Sequence, residues 1–220
     1  PVRVALGSTL KPSENVRMQA FEVPTDRKHE VLHRILAGET GRCLVFARTK
    51  RGAERLSYDL TRQGFAASMI HGGRSQSQRN AALAGFQQGH IRVLVATDLA
   101  SRGIHVQDIA HVINFDLPDI AENFIHRVGR TGRAGGLGVA STLFGRDQRS
   151  EMLQLERTLG IRMERMSIDG LPKDSQMPRR AAANRMEAAV PGTKMASAFR
   201  NATSKIGRLP GEYLQAQMEN

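Results

Sequence analysis

The chain has 220 residues, is 40% hydrophobic and carries 32 Lys and Arg against 21 Asp and Glu, a net charge of +11. That length makes one full domain with a tail, or two very small domains. With no Trp and 5% aromatic residues the core must be mainly aliphatic, which suits a parallel sheet covered by helices.

The excess of positive charge makes nucleic acid the expected partner, with a merely solvated basic surface as the alternative on charge alone. The single cysteine, Cys43, excludes an internal disulfide and a cysteine-rich zinc site. No apolar run approaches the roughly 18 residues that a bilayer span needs, and no signal peptide opens the chain, so a cytoplasmic location without membrane attachment is expected. The first residue is Pro1 rather than Met, which reads as part of a longer product.

Residues 1–15 read as an irregular lead-in. Residues 16–23 alternate and end at Pro24, which predicts a strand. Thr25 or Asp26 then caps a helix with Val31, Leu32, Ile35 and Leu36 on one stripe and Gly38 just past its end. Residues 43–47 form a short apolar strand, in which Cys43 is expected as a buried structural thiol. Thr49 opens a helix with Ala53, Leu56 and Leu60 on one face, stopped at Gly64. Residues 65–70 are a strand, followed by the turn at His71 and a helix presenting Ala81, Leu83, Ala84 and Phe86 up to Gly89. Strands follow at 91–96, 110–115 and 138–144, with a helix over 120–127 and another, capped by Asp147, running through Leu159. This alternation means right-handed βαβ units and a parallel sheet with helices on both faces. Ligands in such sheets bind at the carboxyl ends of the strands. Residues 171–220 show little periodicity and carry eight Lys or Arg against four Asp or Glu, which reads as a basic, disordered tail.

Three loops hold the chemistry. Residues 126–135 place Arg127, Arg130 and Arg133 at three-residue intervals among glycines. Guanidinium forks suit phosphate oxygens and can stabilise charge on a transferring phosphoryl group, although a solvated basic turn reads equally well from this segment alone. Thr97 and Asp98 follow an apolar strand, where Thr97 can donate to a phosphate and Asp98 reads more readily as a cap. The turn at Gly72 and Gly73 precedes a helix start that can bind an anion, with Arg79 one turn in. Three such loops on one parallel sheet are expected to converge on one edge.

These segments resemble the DEAD-box RNA helicases of superfamily 2, in their second RecA-like domain. Leu44-Val-Phe-Ala-Arg-Thr49 is similar to motif IV, His71-Gly-Gly-Arg-Ser-Gln76 through Arg79 to motif IVa, and Val95-Ala-Thr-Asp-Leu-Ala-Ser-Arg-Gly103 to motif V. Val112-Ile-Asn-Phe-Asp-Leu-Pro118 resembles the segment after motif V, and His126-Arg-Val-Gly-Arg-Thr-Gly-Arg133 motif VI. The resemblance implies a RecA-like parallel sheet sandwiched between helices over 16–168, with an irregular basic tail over 169–220. It implies that Arg130 and Arg133 reach the γ-phosphate of ATP, and that His126 and Arg127 couple nucleotide to the domain interface. His105 belongs to that group too, standing where many members carry an Asp that contacts the ribose. Gly72, Gly73, Arg79, Thr97 and Asp98 are implied along the backbone of single-stranded RNA, giving sequence-independent, salt-sensitive binding that favours RNA over DNA.

The 220 residues contain neither a Gly-x-x-x-x-Gly-Lys-Ser/Thr loop nor an Asp-Glu-Ala-Asp segment. ATP and Mg2+ are therefore expected to be held mainly by a first RecA-like domain, with this chain alone inactive and monomeric. No metal ligands are expected in the chain itself. Two other readings stay open: half of another superfamily 2 helicase acting on DNA, and a stand-alone, non-catalytic RNA-binding module.

Overall fold

The computed structural model describes residues 13–101, 106, 108–133 and 135–171. Strand β1 (Val16–Glu22) leads into a 3-10 turn at Thr25–Arg27 and helix α1 (Lys28–Gly38). Then come β2 (Arg42–Phe46), α2 (Lys50–Arg62), β3 (Ala67–Ile70), α3 (Gln76–Gln87), β4 (Val93–Ala96) and the one-turn α4 (Asp98–Ser101). The described part closes with β5 (Ile109–Asn114), α5 (Ala121–Val128), β6 (Gly138–Phe144), α6 (Arg149–Leu159) and β7 (Glu164–Arg165). A 3-10 turn at Ile168–Gly170 follows.

The strands form one seven-stranded sheet in the order β3-β4-β2-β5-β6-β1-β7, every pairing parallel. Side chains alternate across it, because successive strand residues point to opposite faces. Leu44 and Phe46 of β2 face one core with Phe86 of α3, Phe124 and Val128 of α5 and Met152 of α6. Cys43 and Val45 face the other with Leu32 and Leu36 of α1 and Leu56 and Leu60 of α2. The expected sheet, with helices on both sides, is what forms. Burial pushes the Cys43 thiol up to about 12, so it is an inert packing group.

Several expectations need correction. Neither Thr25 nor Asp26 caps α1, and Asp147 does not cap α6: each lies in a 3-10 turn. The amides of those turns bond three residues back, Arg27 to the Pro24 carbonyl at 2.9 Å and Gln148 to that of Gly145 at 3.0 Å. In α3 Phe86 is buried and Leu83 packs against the same core, as expected, but Ala82 takes the buried place expected of Ala81, which is exposed. Strands β3 and β4 begin two residues later than expected. The amides of Phe65 and Ile91 close the ends of α2 and α3 instead, on the carbonyls of Leu60 and Gly85. Helix α4, β7 and the last 3-10 turn have no periodic signal. Leu171 packs against the α1 side of the core, and its carbonyl accepts from Arg34 at 2.8 Å. The lead-in over 1–12 and the tail over 172–220 lie outside the described residues.

One acid-labile contact ties the amino ends of the strands. Glu39 accepts from the Gly41 amide at 2.9 Å and faces His111 Nδ1 at 3.5 Å. The His111 contact, with the amides of Gly41 and Thr40 adding to it against partial burial, holds the carboxyl at about 2 rather than 4.5. A depressed folded-state pKa contributes stability above the unfolded value that is lost as pH falls through the folded one. Glu39→Gln is therefore expected to flatten the pH dependence of the urea midpoint between 4.5 and about 2. A dependence identical to wild type would show that Glu39 contributes nothing there.

Candidate functional site

Because every strand runs the same way, the loops leaving β2, β3, β4 and β5 share one edge. Strands β3 and β4 are neighbours with Ile70 opposite Ala96, so the loop at His71 starts beside the turn at Thr97. The Thr97 amide donates to the Ile70 carbonyl at 3.3 Å.

His71 organises its loop. The Gly73 amide donates to Nδ1 at 3.2 Å, which leaves the ring proton on Nε2, 3.2 Å from Glu54 Oε1. Burial holds its pKa below the ordinary value, opposed by Glu54 and aided by Arg74 and Lys50. Gly72 and Gly73 are exposed at the rim. Helix α3 then starts with a capping box: the Gln78 amide donates to Ser75 Oγ at 3.3 Å and the Ser75 amide to Gln78 Oε1 at 3.1 Å. This fixes Arg79, whose Nη2 donates to the Ala100 carbonyl at 3.4 Å and so reaches α4.

Asp98 turns out to be an anchor. Arg127 Nε donates to its Oδ1 at 2.6 Å and Nη2 to its Oδ2 at 2.7 Å. Nη1 donates to Asn114 Oδ1 at 3.3 Å and to the Asp116 carbonyl at 2.7 Å. The guanidinium also lies 5.0 Å from the ring centroid of Phe46. Arg127 is only 1% exposed, and a cation that deep persists only when its donors are matched in this way. Its reach has a simple origin. Helix α5 runs back from the carboxyl edge, and helical side chains tilt toward the helix amino end, here toward that edge.

Arg130 and Arg133 leave from the other end of α5, which corrects the expected convergence of all three loops. Thr131 Oγ1 donates to the carbonyl of Ile109, the first residue of β5, and the Gly138 amide that opens β6 donates to the Asn15 carbonyl at 2.9 Å. Gly132 sits at φ 64° against Val16, a close approach that a side chain would obstruct. The turn is thus pinned at the amino edge. Arg130 Nε donates to the His126 carbonyl at 3.2 Å and Arg133 Nε to the Gly129 carbonyl at 2.7 Å, each closing an open helix-end acceptor. Burial, with the Arg133 charge beside it, lowers the Arg130 pKa, so two cations stand together at this edge. His126 is exposed, 4.0 Å from Glu122 one turn earlier. His105 lies outside the described residues.

Sequence reasoning missed Asn114, the Asp116 carbonyl and Phe46 as the seat of Arg127; their segments carry family motifs but no local sign of this contact. It also passed over Lys50 and Arg74, which flank the glycines. No helix among the described residues is long and apolar enough to cross a membrane.

Residues 27–135 match the helicase conserved C-terminal domain. A DEAD-box ATP-dependent RNA helicase CshA of Bacillus thuringiensis is 36% identical over 183 residues, covering 83% of this chain and 35% of that protein. A DEAD box protein from Methanococcus jannaschii shares the fold with a TM-score of 0.67 and 39% identity, over 70% of this chain and 42% of that one. Dbp5 of S. cerevisiae, bound to RNA and ADP BeF3, matches with a TM-score of 0.67 and 28% identity, over 72% of this chain and 43% of that one. The chain belongs to the helicase conserved C-terminal domain family in its DEAD-box branch, with the RecA-like α/β fold. It spans about a third of the length of the CshA relatives it matches.

Proposed function

We propose that this chain is the second RecA-like domain of a cytoplasmic, monomeric ATP-dependent RNA helicase, closing on RNA and ATP together with a first RecA-like domain of the same protein. The observation that carries the reading is the buried grip of Arg127 on Asp98. It welds α5, whose far end carries Arg130 and Arg133, to the turn at Thr97, beside which the Gly72–Gly73 loop begins. Nucleotide-facing and RNA-facing groups then move as one body, which is what coupling between two ligands requires.

In this reading Gly72, Gly73, Arg79 and Thr97 lie along the RNA backbone, and Asp98 acts by holding that turn in place. Arg130 and Arg133 meet the γ-phosphate, while His126 and Arg127, with His105, transmit its presence. The guanidinium groups of Arg130 and Arg133 are of the kind that fits phosphate oxygens. The carboxylates at the carboxyl edge are less suited to Mg2+, because Asp98 is held by Arg127 and Asp116 Oδ2 accepts from the Arg48 amide at 2.9 Å. That favours metal and most of the nucleotide being held by the first domain. ATP supplies the phosphoryl group lost to water, and the chain alone should turn none over.

The test uses the 220-residue chain. It is expected to bind a single-stranded oligoribonucleotide more tightly than the matching oligodeoxyribonucleotide, with affinity falling steeply as salt rises. Arg79→Ala is expected to weaken RNA binding several-fold. Equal, salt-independent affinity for both strands would remove the reading.

A further inference from the structure

We infer that Lys50 and Arg74 form an additional phosphate subsite beside the Gly72–Gly73 loop, beyond the contacts proposed above. The inference rests on the RNA reading and extends the track by two cations. Lys50 begins α2, one residue after Thr49, whose Oγ1 accepts from the Gly52 amide at 2.9 Å. Its side chain lies along the glycine loop: a Cβ on Gly72 would stand 3.5 Å from Lys50 Cε and 3.8 Å from Nζ, and one on Gly73 3.8 Å from Cδ. The missing side chains leave the ammonium beside bare backbone at the rim. Arg74 follows Gly73 directly in the chain, and its charge, like that of Lys50, acts on His71.

Neither cation has a counter-ion among the described residues: no acidic group there pairs with Lys50 or Arg74. Glu54, a turn along α2 from Lys50, faces His71 Nε2 at 3.2 Å instead. Arg74 Nε is buried without any hydrogen-bond partner among the described residues, and Arg79 Nε, on the same stretch, shares that condition. A buried donor left unmatched is unfavourable until an acceptor arrives or the side chain swings out to one. Two cations without an anion, beside exposed backbone and one orphaned donor, ask for an oxyanion. On an edge already read as an RNA track, that oxyanion is a phosphodiester.

The experiment is a salt series of fluorescence anisotropy with a labelled single-stranded oligouridylate and the 220-residue chain. Lys50→Ala and Arg74→Ala are each expected to lower the slope of log affinity against log salt by about 0.7, and the double variant by about 1.4. At low salt the double variant should bind roughly tenfold more weakly, with Lys50→Arg and Arg74→Lys close to wild type. Thermal melts of every variant should show no loss of stability against wild type, since neither side chain makes a hydrogen bond or ion pair among the described residues and Arg74→Ala removes an unmatched buried donor. A double variant with the wild-type slope, in an assay where Arg79→Ala weakens binding, would overturn the subsite and leave the RNA reading standing. A wild-type chain that binds no RNA would overturn both.

Discussion

Arg133→Ala in the complete two-domain protein is expected to cut RNA-stimulated ATP turnover by about three orders of magnitude, with RNA affinity held within a few-fold. A guanidinium that meets the γ-phosphate as it leaves contributes on that scale, because its contact is stronger in the transition state than in the ground state. The position of Arg133 suits that role. It is exposed past the end of α5, held only through Nε on the Gly129 carbonyl, with no partner for its terminal nitrogens among the described residues. A second role is open to the same contact, since closing a helix-end carbonyl contributes modestly to stability. The two separate cleanly. A capping arginine predicts a loss of roughly 0.5–1 kcal/mol in unfolding free energy and an unchanged kcat; a phosphate-facing one predicts the reverse. Arg130→Ala should behave likewise, with a larger stability cost because Arg130 is half-buried. An unaltered kcat in both variants would end the assignment of these arginines to ATP.

Arg127→Met is expected to lower the unfolding free energy by about 3 kcal/mol, near the lower end for breaking a buried pair because Asp98 keeps some access to water. The loss comes less from the vanished attraction than from Asp98, Asn114 and the Asp116 carbonyl left without their donor. Adding Asp98→Ala to Arg127→Met should therefore cost less than the sum of the two single changes, with a coupling of about 1–3 kcal/mol in a urea-denaturation cycle. In the RNA assay Arg127→Met should also weaken binding, since the Thr97 turn loses its brace. A single-variant loss below about 1 kcal/mol, with additive double-variant behaviour, would mean that the buried pair is not what holds the edge together.

The α/β frame is legible in the sequence because its signals are local. Strand β6 is bounded at 138–144 as expected, and the stripe Val31, Leu32, Ile35, Leu36 is the buried face of α1. Where local signals compete, the sequence misleads. Phe65 and Ile91 look like strand residues, but their amides are drawn off to close helices, a choice that depends on the turn geometry at Gly64 and Gly89. Strand β7 is two exposed residues, Glu164 and Arg165, that pair with β1 only because α6 delivers them there.

The same division runs through the candidate site. Which loops would carry the chemistry is written in the sequence, since glycine, arginine and capping residues cluster in them, and parallel strands bring the loops at His71 and Thr97, which follow β3 and β4, to one edge. Which arginine does what is not written in their spacing, and only the family resemblance separates Arg127 from Arg130 and Arg133 at that level. The packed structure separates them physically, by sending Arg127 back 29 positions in sequence to Asp98 and pinning the next turn at the opposite edge through Thr131 and Gly132. The physical reason is that burial and charge pairing are non-local: the side chain that meets a carboxylate in the interior becomes structure, whereas Arg133, past the helix end, stays exposed.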